Sequence, residues 1–75
     1  MKIKLGKYRH YKGKFYEVIG EAVHSETSEE MVIYRALYED IAFGKNAVFV
    51  RTKEIFLEKV EIKGEKIPRL NLLNS

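Results

Sequence analysis

Apolar and polar residues alternate along most of this chain in short runs. Tyr8 to Lys12 is a candidate first strand, turned back by Lys12-Gly13-Lys14. Phe15 to His24 follows as a longer strand. Tyr16, Val18, Gly20, Ala22 and His24 share one face, and Phe15, Ile19 and Val23 share the other with Glu17 and Glu21. Apolar groups on both faces predict a wall curved around a small core, and Gly20 in mid-strand suits a bend or bulge. Ser25 to Glu30 is polar and reads as a loop. Met31 to Tyr38 fits a helical face through Met31, Tyr34, Leu37 and Tyr38. It fits a strand face through Val32, Tyr34, Ala36 and Tyr38 equally well, and its β-branched and aromatic content selects the strand.

Ala47 to Arg51 is the next strand, entered through Gly44-Lys45-Asn46. Thr52 is placed to cap one helical turn over Lys53-Glu54-Ile55-Phe56. Glu58 to Ile62 and Glu65 to Leu70 pair across Lys63-Gly64. Pro68 has no amide hydrogen, so the last segment belongs at an edge. About five strands, tight turns and a one-turn helix predict an all-β domain, a small SH3-like barrel or roll. An OB-type barrel is the rival, with longer strands and a proper helix between them.

Seventy-five residues fit one domain, 1–75, with a modest core. A chain this short is close to the lower limit for independent stability, so monomer and homodimer both stay open. Hydrophobic residues at 45%, with five Tyr and four Phe among them, exclude a disordered composition. The absence of cysteine removes a disulfide framework, thiolate chemistry and the usual structural zinc sites, and it fits a reducing cytosol. The stretch MKIKLGKYRHYKGK has charges throughout and no apolar run, so neither a signal peptide nor a membrane span is expected and the expected location is cytoplasmic.

The net charge of +3 is unevenly spread. Lys2, Lys4, Lys7, Arg9, Lys12 and Lys14 form an acid-free arm, while acids gather at Glu26, Glu29 and Glu30. Such an arm suits a phosphate backbone. More often such a lysine-rich edge is a solvated strand border that resists edge-to-edge aggregation.

Several stretches carry a family likeness. Tyr8-Arg9-His10-Tyr11-Lys12-Gly13-Lys14, Tyr16-Glu17-Val18, His24-Ser25-Glu26-Thr27 and Val32-Ile33-Tyr34-Arg35-Ala36-Leu37-Tyr38 resemble a family of small bacterial proteins known only as domain of unknown function 1653. The likeness continues through Val50-Arg51, Phe56, Val60, Gly64 and Pro68-Arg69. The resemblance implies an SH3-like barrel and a bacterial cytosolic setting, and it implies no activity. Two departures stand out. Phe49-Val50-Arg51-Thr52 stands where the family has Trp-Val-Arg-Pro, and Ile41 to Ala47 is longer than usual.

The candidate binding residues are Tyr8, Arg9, His10 and Tyr11 with His24, Glu26, Thr27, Tyr34, Arg35 and Arg51. Arg offers a planar fork to carboxylate or phosphate, and Tyr offers a face for stacking. Aromatic and basic residues interleaved on a small barrel suit single-stranded nucleic acid. The same tyrosines are equally suited to a core with wet hydroxyls, and Arg35 to an ion pair with a neighbouring Glu. His24-Ser25 lacks the geometry of a nucleophile and base, since adjacent strand residues point to opposite faces. His10, His24 and Glu26 lack the spacing of a metal site, and the glycines form no nucleotide-binding motif. The expectation is therefore a non-enzymatic binding module with no metal and no cofactor. Its favoured ligand is anionic. The alternatives are a protein-interaction or homo-oligomerising domain and, third, a small enzyme using His24 and Glu26.

Overall fold

The computed structural model describes residues 3–73, so Lys2, the first lysine of the basic arm, lies outside them. β1 (Gly6–His10) and β2 (Phe15–Val23) form a hairpin, β3 (Glu30–Ala36) pairs with β2, and β4 (Glu39–Asp40) pairs with β5 (Gly44–Lys45) in a small separate ladder. β6 (Val48–Thr52) returns beside β3 and runs into the single helical turn α1 (Lys53–Phe56). β7 (Lys59–Ile62) and β8 (Glu65–Pro68) make a second hairpin, and β9 (Leu70–Leu72) closes against β1. The main antiparallel sheet has the order β6-β3-β2-β1-β9, which makes this a small all-β domain with one short helix.

The inner face of that sheet follows from its register. Tyr8 lies opposite Tyr16, Val18 opposite Tyr34, and Tyr34 opposite Phe49. Val18, Val32, Tyr34 and Ala36 are buried there with Tyr8, Leu70 and Ile3, and Phe56 of α1 closes the core. Thr52 caps α1 as its sequence position implies, its hydroxyl accepting from the Ile55 amide at 3.2 Å. Lys63 and Gly64 both take positive φ, +52° and +82°, the twist that a two-residue hairpin requires.

The register shifts between Val18 and Gly20, leaving Ile19 as the extra residue of a β-bulge. A one-residue insertion inverts the side-chain phase beyond it. Glu21, not Ala22, therefore comes opposite the buried Val32, and the face shared by Tyr16 and Val18 does not continue to His24. The first strand starts earlier than the sequence suggests, at Gly6, and the expected strand Glu65 to Leu70 divides at Arg69 into β8 and β9. Pro68 pairs with Lys59 on an edge strand, as its missing amide predicts. No helix of the described residues is long and apolar enough to cross a membrane.

Candidate functional site

One end of the main sheet gathers aromatic and basic side chains. It is the end where β1 turns into β2 and where the chain leaves β3. A series of rings crosses it: Tyr11 against His10 (4.6 Å between centroids), His10 against Tyr16 (6.1 Å), and Tyr16 edge-on to Tyr34 (5.2 Å). Tyr34 then meets Phe49 (5.9 Å), and Phe49 meets Phe43 (5.9 Å) at the tip of the β4–β5 hairpin. Tyr38 stands edge-on to Tyr16 and shares a 2.8 Å hydroxyl–hydroxyl hydrogen bond with it. Cations stand over several rings, with Lys12 over Tyr11 (5.8 Å), Lys14 over Tyr38 (4.2 Å) and Arg51 over Tyr34 (5.9 Å). Alternation explains the arrangement, since Phe49 and Arg51 share the inner face of β6 while Val48 and Val50 face outward.

The charge around His10 is mostly positive, with Glu58 paired to Arg69. Burial lowers the His10 pKa below its ordinary value, and Arg51, Arg69 and Lys12 lower it further. His10 Nδ1 accepts from the Lys12 amide at 3.1 Å, so the proton of the neutral ring sits on Nε2. Burial raises the Tyr34 phenol even against the pull of Arg51, and it raises Tyr16, helped by the hydrogen bond with Tyr38. Among the described residues the ion pairs are Arg35–Glu17, Lys53 with Glu21 and Glu30, and Arg69–Glu58. None of them engages Arg51, Lys12 or Lys14. The Nε of Arg69 is buried and has no hydrogen-bond acceptor, while its Nη2 donates to Glu58. A shallow cavity of about 180 Å³ lies against this end, lined by Arg9, His10, Tyr11, Ile67 and Asn71.

The structure divides the residues proposed from sequence. His10, Tyr11, Tyr34 and Arg51 come together, and Arg9 reaches the rim of the cavity from the outer face. Tyr8 does not join them: it is 7% exposed, packed on Phe56, with its hydroxyl donating to the Lys4 carbonyl. Arg35 faces the opposite side of the sheet in a 2.6 Å ion pair with Glu17. His24, Glu26 and Thr27 occupy the β2–β3 turn, separated from His10 by the length of β2. There His24 Nδ1 accepts from the Glu26 and Thr27 amides, at 3.2 and 3.3 Å, and the Thr27 hydroxyl donates to Glu29. His24 thus organises a turn, its Nδ1 taken by two backbone amides.

Sequence reasoning omitted Tyr16, Phe43, Phe49 and Arg69 from the site and had Lys14 only as part of the basic arm. Tyr16 carried a usable signal, because it shares strand parity with Val18 and pairs with Tyr8. Phe43 carried none, since only the β4–β5 ladder brings its ring to Phe49.

The family described as a protein of unknown function, DUF1653, matches residues 6–72. A solved structure of a protein belonging to DUF1653 from Bordetella bronchiseptica is similar at 32% identity, covering 96% of this chain and 88% of that one, with a TM-score of 0.83. No curated protein matches the chain.

Proposed function

The chain belongs to the DUF1653 family, whose function is unknown, and we propose that it is a non-enzymatic binding module for an anionic ligand. The ligand seats at the sheet end where His10, Arg51 and Arg69 meet. One observation carries this reading: cations converge on His10, and Arg51 has no carboxylate partner among the described residues. An anion arriving there would offset that charge. The acidic turn around Glu26 and Glu29 is no obstacle, because it lies at the far end of β2. The strand order β6-β3-β2-β1-β9 supports the SH3-like reading of the roll. A cytoplasmic setting accords with the cysteine-free composition.

Linear polyphosphate is a suitable probe, followed by amide chemical shifts at two salt concentrations. Shifts should concentrate at His10, Arg51 and Arg69. With three or four cationic contacts, raising salt from about 50 to 200 mM should weaken binding roughly ten- to a hundredfold through counterion release. Arg51→Ala should lose most of the affinity. Absence of binding at the lower salt would end the anionic reading.

A second reading is homodimerisation along the open edge of β6, favoured by its outward Val48 and Val50, which are 55% and 57% exposed. Sedimentation would separate the two readings: a concentration-dependent dimer abolished by Val50→Lys supports the second, and a monomer at all concentrations removes it.

A further inference from the structure

The site holds more aromatic surface than an anion needs. Phe43 is 70% exposed, touches only the edge of the ring series through Phe49, and lies beside the fully exposed Ile41. Core packing does not account for it. At the other end of the series Tyr11 is half-buried against His10, under the ammonium of Lys12. Between them Tyr34 is buried and Tyr16 and Phe49 are partly buried, so the more exposed rings are at the two ends, Phe43 above all. Cations with no carboxylate partner among the described residues run beside the same rings, with Lys12 at Tyr11, Lys14 at Tyr38 and Arg51 at Tyr34.

We infer that the ligand is single-stranded nucleic acid, with bases stacked on Tyr11 and Phe43 and phosphates on Lys12, Lys14 and Arg51. This inference rests on the anionic reading above and adds the ligand class. Aromatic faces interleaved with cations on one surface are what a flexible polyanion with unpaired bases engages. A duplex buries its base faces and would leave both end rings unused. An acidic peptide would meet the cations equally well, but it gains less from the exposed aromatic surface. α1 has four residues, and no described element is a helix long enough to read a major groove.

The experiment titrates fluorescently labelled oligo-dT and oligo-rU of about twelve nucleotides, within the span such modules cover. It compares them with a duplex of equal length and with polyphosphate. Single strands should bind most tightly. Phe43→Ala and Tyr11→Leu should each weaken single-strand binding, by about five- to a hundredfold, and weaken polyphosphate binding less. Arg51→Ala should weaken both. Phe43 is largely exposed, so its truncation leaves the core intact. Single strands that bind no better than duplex or polyphosphate, or a Phe43→Ala variant that binds them normally, would overturn the inference while the anionic reading stands. Failure of every probe to bind would overturn both.

Discussion

His10 reports most directly on the electrostatics of the site. Burial acts on it first and the three cations second, all disfavouring the imidazolium, so the ring is neutral at pH 7. Its imidazole resonances should titrate below the ordinary 6.5, and Arg51→Ala should move the midpoint upward. A midpoint unmoved by that substitution would show that Arg51 does not act on the ring. The sign carries over to stability. Below pH 6.5 the unfolded chain takes up a proton that the fold resists, so the contribution of His10 is present above that pH and lost as pH falls. Residue type alone could not sort the candidates, because Tyr and Arg serve core and site equally. Tyr8 and Tyr34 were indistinguishable in sequence, yet one ties its hydroxyl to Lys4 inside the core and the other lies under Arg51. Arg35 and Arg51 separate only once strand register puts them on opposite faces of the sheet.

At the scale of elements, local signals were legible and long-range ones were not. Thr52 announced α1, Lys63-Gly64 announced the β7–β8 hairpin, and Pro68 announced an edge, because each acts through its own backbone. The β9 strand was hidden, since Leu70 and Leu72 gain a partner only from β1, at the opposite end of the chain. The bulge was half legible. Gly20 marked its place, but the glycine is not what permits it: its φ is not positive, and a Cβ added there would meet open space. Gly20→Ala should therefore stabilise the protein by about 0.4–1 kcal/mol, through reduced freedom of the unfolded chain. For a domain of this size that is a rise in Tm of roughly 2–8 °C. Gly6 is the contrasting case, with φ at +128° and Leu72 Cδ1 3.7 Å from where a Cβ would stand, so Gly6→Ala should destabilise. Thermal unfolding of the two variants checks both signs, and a destabilised Gly20→Ala would show that the bulge needs its glycine.

Across the whole molecule the core is small and rich in tyrosine. Eight apolar residues are buried among those described, and two of them are Tyr8 and Tyr34. The Cα radius of gyration is 12.9 Å, against about 11 Å for a compact domain of this length. A thin sheet with attached hairpins fits the larger value. Much of what holds this fold together therefore passes through phenols, and that has a pH consequence. Burial raises the pKa of Tyr8, Tyr16 and Tyr34 above their ordinary 10.0. In the unfolded chain the same phenols ionise near 10.0, so above that pH the unfolded state binds fewer protons than the fold. Stability is then retained below about 10 and lost as pH climbs beyond it. Tm should fall between about pH 8 and pH 11 by on the order of 5 °C or more for a domain of this size. The slope should flatten in a Tyr16→Phe/Tyr34→Phe variant, which keeps the rings and removes two of the protons at issue. Ultraviolet titration in native buffer should find phenols that resist ionisation until the protein unfolds. If all five tyrosines ionised together near their ordinary value, with Tm unchanged, the phenols would be solvated and the tyrosine-rich core would be wrong.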